Sequence, residues 1–193
     1  MDSDTLKELK GCGFDNVTIS RFESYIGLLK RWNESFSLVS KNDLKNVESR
    51  HLLDSVRLVS YIANEGNLID IGSGAGFPGL PLAIATDMDV TLVERSQKKA
   101  TFLNQVKLEL GLNSLEVCAQ DARQMNTKDF DLATIRAVDK PLAAWRLAAP
   151  KLAIGGRMLL QTGQSVGLAF HGGKLESTER AEIGWVSVVR KMR

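Results

Sequence analysis

Cysteine and histidine are scarce in this sequence, with two of each among 193 residues. Cys12 and Cys118 lie far apart and lack metal-type spacing, so we expect reduced thiols with a structural role and no metal site. The sequence has no apolar run of about 18 residues that could span a bilayer. Its first ten residues also lack the apolar core of a signal peptide. We therefore expect a cytoplasmic protein that does not associate with membranes.

An excess of one charge is also missing, because the net charge is only +2. Nucleic-acid binding would then require a local basic patch. Arg95, Lys98 and Lys99 could form one near the predicted ligand-binding edge, although most charged helix faces are simply solvated. Hydrophobic residues make up 44% and charged residues 25%, which is ordinary for a globular protein. Nothing in the sequence indicates an obligate oligomer, so we expect a monomer.

Hydrophobic periodicity divides the chain into two regions. Residues 1–66 carry apolar residues at helical spacing, as in Phe22, Tyr25 and Leu29, and predict an N-terminal helical extension. Residues 67–193 alternate between strand and helix patterns and predict one compact catalytic domain on which the extension packs. The predicted elements span 67–71, 78–86, 90–94, 97–110, 114–119, 130–135, 141–153 and 156–162. The fold class is therefore α/β and Rossmann-like, a mostly parallel twisted sheet with helices on both faces.

The most informative segment is residues 69–79, IDIGSGAGFPG. Its closely spaced glycines follow a predicted strand, and glycine lets the main chain approach a ligand closely. Pro78 suits the first turn of the following helix, whose free N–H groups would face that ligand. The string matches the G-x-G-x-x-G pattern of nicotinamide and flavin enzymes, which is weak evidence alone. These residues predict a nucleotide-binding turn.

Asp70 changes the interpretation of this turn. A dinucleotide site holds a pyrophosphate and needs no carboxylate two residues before its first glycine. An anion at that position favours a ligand that carries an ammonium and a sulfonium group. The turn therefore fits S-adenosylmethionine better than a nicotinamide cofactor.

Two further carboxylates fall at predicted strand ends. Glu94, about 20 residues past the glycines, could accept both ribose hydroxyls, and Asp121 could accept a hydrogen bond from the adenine amino group. The alternative for each is that it caps the next helix, from Ser96 or Ala122 onward. The combination with Asp70 favours ligand contact.

Separated motifs in this order resemble the bacterial glucose-inhibited division protein B family from roughly residue 20 to about 164. They are Leu29-Lys30-Arg31-Trp32-Asn33, Arg50-His51 with Asp54-Ser55, IDIGSGAGFPGLPLA, and Ile135-Arg136-Ala137. The members are small-subunit ribosomal RNA guanine-N7 methyltransferases of the class I methyltransferase fold. The resemblance implies S-adenosylmethionine as cofactor and 16S rRNA or the small ribosomal subunit as partner. It implies cofactor binding at Gly72, Gly74, Gly76, Phe77, Glu94, Ala122, Arg123 and Arg136.

Guanine N7 has a lone pair and no proton, so methyl transfer to it needs no general base. We expect residues that position the base instead. Arg136, at a predicted strand end, could bind the guanine or the methionine carboxylate, with a surface ion pair as the alternative. The resemblance also assigns His51 and Asn33 to the substrate cleft. The alternative for His51 is a packing contact, for example to Asp54.

Two departures from the family pattern affect the RNA-facing surface. Ser37 stands where the family usually has asparagine, and Thr162 where it usually has lysine. After Gly163 only thirty residues remain for a helix and two closing strands. The alternatives to a 16S rRNA methyltransferase are a methyltransferase acting on another RNA or on a small molecule, an NAD-dependent oxidoreductase, and a non-catalytic RNA-binding protein.

Overall fold

The computed structural model describes residues 1–62, 66–125, 129–136, 140–167 and 169–193. Ala137, the last residue of one predicted motif, lies outside these ranges. The chain begins with α1 (Ser3–Gly11), α2 (Asn16–Ser35), α3 (Lys41–Lys45), a π-helical segment (Val47–Leu52), α4 (Leu53–Val56) and a 3-10 segment (Arg57–Tyr61). It continues with β1 (Asn67–Ile71), α5 (Gly79–Ala85), β2 (Asp89–Val93), α6 (Gln97–Leu110), β3 (Leu115–Cys118), β4 (Phe130–Arg136), α7 (Pro141–Ala148), a 3-10 turn (Ala149–Lys151), β5 (Leu152–Thr162), β6 (Gly173–Arg180) and β7 (Trp185–Lys191).

The seven strands form one sheet in the order β3-β2-β1-β4-β5-β7-β6. Strands β1 to β5 pair in parallel, whereas β7 runs antiparallel to both of its neighbours. The strand order reverses between β1 and β4, which is the topological switch point where open α/β sheets bind ligands. The mostly parallel α/β fold predicted from the sequence is confirmed.

Two apolar cores cover the two faces of the sheet. Successive residues of β1 alternate between them, because Leu68 packs with the helices before β1 and with α5 and α6, whereas Ile69 packs with α7. The N-terminal helices thus share one core with the sheet, through buried residues such as Phe22 and Leu29. The division of the chain at residue 66 stays a prediction.

Helix α2 shows why the N-terminal sequence folds as it does. The Asp15 carboxylate caps it by accepting the Thr18 N–H at 2.8 Å. Its buried side chains recur at helical spacing and form one apolar stripe on a helix that packs against α5 and α6: Ile19, Phe22, Tyr25, Ile26 and Leu29. This stripe places Tyr25 beneath the glycine turn described below.

Two sequence predictions about the second half are wrong, and one question that the sequence left open is answered. The helix predicted for 141–153 ends at Ala148, and Leu152 already belongs to β5. Pro150 explains the early end, because it has no N–H to donate to the Arg146 carbonyl, so the α-helical hydrogen bonds stop and a 3-10 turn follows. No helix forms in the described residues between β5 and β6. The closing strand at Trp185–Lys191 is the seventh, because the polar edge strand β6 precedes it.

Candidate functional site

The glycine turn follows β1 at the switch point, and its glycines have two different surroundings. Gly72 and Gly74 have positive φ, and a Cβ added to either would meet no atom within 3.4 Å. A Cβ on Gly76 would lie 2.4 Å from Leu80 Cδ1, and one on Gly79 would lie 2.3 Å from Leu92 Cδ2. The first pair therefore leaves open space for a ligand, whereas the second pair allows close packing inside the protein.

The start of helix α5 does not offer free N–H groups, contrary to the sequence prediction. Gly79 N–H donates to Asp70 Oδ2 at 3.2 Å, and Leu80 N–H donates to the Gly76 carbonyl at 2.7 Å. Pro78 precedes the helix as its cap residue and does not form part of the first turn. A phosphate at this helix start would have to displace contacts within the protein.

Asp70 is buried and fastens the turn from below. Its Oδ1 accepts the Thr134 hydroxyl at 2.8 Å from the adjacent strand β4, while its Oδ2 accepts Gly79 N–H. Burial raises the pKa of this carboxyl to about 6. Asp70 is absent from the described lining of both cavities beside the turn. Its contact with a ligand ammonium stays a prediction, and the structure assigns it a positioning role.

A first cavity of about 420 Å³ opens at the carboxyl ends of β1, β2 and β3. It is lined by Ile71, Gly72, Val93, Glu94, Arg95, Gln120, Asp121, Ala122, Arg123 and Leu147. The predicted cofactor residues Gly72, Glu94, Asp121, Ala122 and Arg123 thus come together in one cavity with apolar walls. Most pockets for small organic ligands have this composition.

Glu94 links this cavity to the glycine turn. Its Oε2 accepts Gly74 N–H at 2.9 Å, and its Oε1 accepts Ser96 N–H at 2.7 Å. Each carboxylate oxygen can accept more than one hydrogen bond, so the side chain keeps capacity for a ligand hydroxyl. The structure thus shows contact with the start of the next helix and a place in the cavity lining, and the ribose contact stays a prediction.

Asp121 holds a local turn. Its Oδ1 accepts Arg123 N–H at 2.9 Å and Arg123 Nε–H at 3.0 Å, and these bonds hold the pKa of the carboxyl below its usual range. The segment is a turn rather than the helix that the capping alternative assumed. Hydrogen bonding of Asp121 to adenine stays a prediction.

A second cavity of about 300 Å³ lies on the other side of the glycine turn. Its lining combines residues of the N-terminal region, the turn, α6 and β4: Leu38, Val39, Ser40, Asp43, His51, Gly72, Ser73, Gly74, Ala75, Phe77, Lys99 and Arg136. Gly72 lines both cavities, so a ligand lying across this residue would extend from one cavity into the other.

Arg136 and His51 meet in this second cavity. Arg136 Nη2 donates to His51 Nδ1, and His51 Nε2 lies 3.3 Å from Asp43 Oδ1. The contact with His51 replaces the surface ion pair considered for Arg136. The packing alternative for His51 is confirmed, because His51 is buried with its ring 5.5 Å from that of Phe77, but its suggested partner is wrong, since Asp54 pairs with Arg57. Arg136 ends β4 and His51 lies in the π-helical segment, 85 residues away in sequence. Their contact therefore depends on the fold.

Arg136 also has free hydrogen-bonding capacity. Its Nη1 is buried and finds no hydrogen-bond partner among the described residues. Burial lowers the pKa of the guanidinium, and its Cζ lies 5.9 Å from the centre of the Phe77 ring. A buried donor without a partner is costly. A ligand oxygen in the second cavity would satisfy it.

Asn33 shapes the cavity wall without lining the cavity. Its Oδ1 accepts the N–H groups of Leu38 at 2.8 Å and Val39 at 2.9 Å. Both of those residues line the second cavity. The site role that the family resemblance implied for Asn33 therefore stays a prediction, and its contacts are those of a positioning residue.

Sequence reasoning missed three residues of the site. Tyr25 was used only as a core residue, yet its hydroxyl donates to the Ala75 carbonyl at 2.8 Å. Asp43 and Thr134 were not singled out, although they contact His51 and Asp70. None of the three lies in the glycine-rich segment 69–79 or directly follows a predicted strand, so no local signal marked them.

Within the described residues, no group of three or more histidine, cysteine, aspartate or glutamate side chains could hold a metal ion. The described helices include none with the length and hydropathy needed to cross a membrane. Cys12 and Cys118 do not form a disulfide with each other, and the Cys118 Sγ lies 3.6 Å from Glu116 Oε1.

The family model described as rRNA small subunit methyltransferase G matches residues 18–174 of the chain. The ribosomal RNA small subunit methyltransferase G of Sorangium cellulosum is 38% identical over 91% of this chain and 73% of its own length. That of Dehalococcoides mccartyi strain BAV1 is 37% identical over 77% of this chain. The match covers 66% of the Dehalococcoides protein, slightly less than two thirds of it.

Solved structures with the same fold are more distant in sequence. M. jannaschii TYW2, solved in complex with AdoMet, superposes with a TM-score of 0.58 at 19% identity over 72% of this chain and 74% of its own. MtNAS, solved with MTA and tNA, gives a TM-score of 0.61 at 18% identity over 88% of this chain and 70% of its own. At these identities the likeness concerns the fold alone.

Proposed function

Because the chain belongs to the rRNA small subunit methyltransferase G family, we propose that it transfers the methyl group of S-adenosylmethionine to N7 of a guanosine in 16S rRNA. The observation that supports this proposal most directly is the pair of cavities that share Gly72. One suits the adenosine of the cofactor. The other suits its methionine end and the acceptor base.

The apolar walls and the carboxylates of the first cavity suit an adenosine. Apolar walls formed by Ile71, Val93 and Leu147 suit the faces of a purine. Glu94, which already fixes Gly74, has remaining lone pairs for the ribose hydroxyls. The open space above Gly72 and Gly74 accommodates the sulfur where the two cavities meet.

The second cavity would hold the carboxylate of the cofactor or the oxygen of the acceptor base. The buried Nη1 of Arg136 suits either, because arginine donates hydrogen bonds both to carboxylates and to guanine O6. His51 accepts from the same guanidinium and thereby fixes its orientation. Asn33 positions the wall formed by Leu38 and Val39.

The chemistry that this site must perform is limited. When bound, S-adenosylmethionine supplies an electrophilic methyl group on a positively charged sulfur. Guanine N7 attacks with its lone pair, so no residue needs to remove a proton before transfer. The role of the protein is to hold N7 in line with the methyl group, with the reacting atoms about 3–3.5 Å apart. His51 and Arg136 then act as positioning groups, not as an acid and a base.

The structure disfavours a nicotinamide cofactor. Such a cofactor would place its pyrophosphate against free N–H groups at the start of the helix after the turn. Here those of Gly79 and Leu80 donate to Asp70 and to Gly76. The proposal also includes a cytoplasmic location. It further includes a monomeric state, which light scattering on the purified chain tests.

Two experiments test the proposal. Calorimetry should show that the chain binds S-adenosylmethionine and does not bind NAD. Gly74→Val should abolish S-adenosylmethionine binding, because the new side chain fills the open space above the turn. Labelled methyl transfer should then be measured with purified small ribosomal subunits, stripped RNA and a panel of small molecules. We expect label in ribosomal RNA. Cofactor binding without transfer to any RNA would contradict the proposed RNA acceptor. Transfer to a small molecule would favour the alternative of a small-molecule methyltransferase.

A further inference from the structure

A half-exposed aromatic side chain lies close to the second cavity. Phe36 follows the end of α2 and is 38% exposed. Leu38, Val39 and Ser40, only two to four residues further on, line the cavity. Phe36 is thus close in the chain to a wall of the cavity where an acceptor base would lie.

The main chain and a second aromatic ring hold Phe36 in place. Its N–H donates to the Trp32 carbonyl at 2.8 Å, and Asn33 fixes the next residues through Leu38 and Val39. The Trp32 ring lies 5.4 Å from the Phe36 ring and 5.6 Å from that of the fully buried Phe102. A rigid aromatic surface binds a flat ligand without ordering a mobile side chain.

Positive charge surrounds this surface. Lys98 Nζ lies 5.2 Å from the centre of the Phe36 ring. The next residue of α6, Lys99, lines the second cavity, and Arg95, just before that helix, lines the first. The basic residues thus run from the aromatic surface to both cavities, and their charge complements a phosphate backbone.

From these contacts we infer that Phe36 and Lys98 bind a nucleotide that flanks the methylated guanosine. The unpaired base stacks on the Phe36 ring in place of the Lys98 ammonium, which moves from the ring to the adjoining phosphate. This inference rests on the proposed function, because it requires an RNA acceptor in the second cavity. It makes Phe36 and Lys98 determinants of RNA affinity rather than of the chemical step.

The arrangement combines the two elements used to bind single-stranded nucleic acid, an aromatic platform and a basic track. Stacking on an aromatic side chain changes RNA affinity by roughly tenfold per base. Phosphate contacts add a salt-dependent contribution. The two residues should therefore produce different signatures when they are changed separately.

Steady-state methyl transfer with varied small subunits or RNA tests the inference. For Phe36→Ala we expect KM for RNA to rise about tenfold while kcat and S-adenosylmethionine affinity stay as in the wild type. The melting temperature should fall slightly, because the ring packs on Trp32. Phe36→Tyr keeps the ring and should restore KM to within about twofold. Affinity falls as salt rises, and Lys98→Gln should make the slope of log affinity against log salt less negative by about 0.7. Phe36→Ala should leave that slope unchanged.

Two controls separate this role from a structural one. Leu108→Ala removes an apolar side chain of α6 that is 74% exposed, and it should not affect KM. Lys107→Gln removes a charge from the last turn of the same helix and should leave the salt slope unchanged. In a series of RNAs that each lack one flanking base, one abasic position should raise KM for the wild type but not for Phe36→Ala.

An unchanged KM in Phe36→Ala, with active wild-type protein, would overturn this inference and leave the proposed function intact. So would equal sensitivity of wild type and variant to every abasic position. A wild-type chain that binds S-adenosylmethionine but methylates no RNA would overturn both. If Phe36→Ala lost cofactor affinity and stability to the same extent as RNA affinity, the residue would have only a structural role.

Discussion

The Tyr25 hydroxyl donates a hydrogen bond to the Ala75 main-chain carbonyl at 2.8 Å. Tyr25 is fully buried on α2, and Ala75 lies in the glycine turn between Gly74 and Gly76. The bond therefore connects the N-terminal helices directly to the segment that leaves space for a ligand. Both cavities adjoin this turn, so the shape of the site depends on the N-terminal helices as well as on the sheet.

We predict that Tyr25→Phe destabilises the protein by about 1–3 kcal/mol, because it leaves the buried Ala75 carbonyl without this donor. S-adenosylmethionine affinity should also fall, since the turn is no longer fixed from below. Urea unfolding and calorimetry measure the two effects. Tyr61→Phe is the matched control: its hydroxyl donates to Glu179 in an exposed position, so little change is expected. Equal effects of the two variants would contradict the assigned role.

Asp70 predicts a pH dependence of stability. Burial raises its folded-state pKa to about 6, while the unfolded chain should have the ordinary value near 4. As pH rises through this interval, the unfolded state loses its proton first, so the stability of the folded state falls. The loss should total about 3 kcal/mol by pH 7.

Asp70→Asn cannot ionise and should remove this loss. Urea unfolding between pH 4 and pH 7 should therefore show a difference between wild type and variant that changes steadily with pH. Asp54, whose pKa is also raised to about 6 by burial, contributes equally to both proteins and cancels in the comparison. Two stability curves that run parallel over this range would show that Asp70 titrates normally.

A substitution at Gly79, a glycine without positive φ, should reveal how tightly the protein packs around it. An added Cβ would lie 2.3 Å from Leu92 Cδ2 and 2.7 Å from Asp70 Oδ2. Gly79→Ala should thus destabilise the protein by about 1–3 kcal/mol. Gly27→Ala, in helix α2 with no atom within 4 Å of the new Cβ, should instead stabilise it by about 0.5–1 kcal/mol. Urea unfolding measures both, and a neutral Gly79→Ala would refute the close packing.

Glu94→Gln tests the adenosine site. The variant keeps the size of the side chain but removes the charge that strengthens its bonds to Gly74, Ser96 and the proposed ribose. We expect S-adenosylmethionine to bind about 10–100-fold more weakly by calorimetry. Asp89→Asn, at the exposed start of the same strand, is the control and should bind normally. Normal binding by Glu94→Gln would show that Glu94 does not contact the cofactor.

The sequence predicted helix α6 with its observed limits, 97–110, because its buried residues Ala100, Leu103 and Val106 recur at helical spacing. It did not predict β6. That edge strand is largely polar, and its pairing with β7 specifies it instead of any apolar pattern of its own. Local patterns therefore predicted the elements that bury an apolar face and missed the one that does not.

The candidate site shows the same division. The glycine turn and the carboxylate of Glu94 could be predicted, since both follow directly from apolar strands. The contacts of His51 with Arg136 and of Tyr25 with Ala75 could not, because each joins segments 50 or more residues apart. The partners of Asp70 show a further limit: a carboxylate interpreted as a ligand contact also serves to hold the turn.

The position of the transferred methyl group tests the central claim most directly. Small ribosomal subunits should be incubated with the wild-type chain and labelled S-adenosylmethionine, and the 16S rRNA then digested to nucleosides and separated by chromatography with mass detection. The account predicts that the label co-elutes with N7-methylguanosine. Label in any other nucleoside, or none in the RNA while the chain binds S-adenosylmethionine, would contradict it.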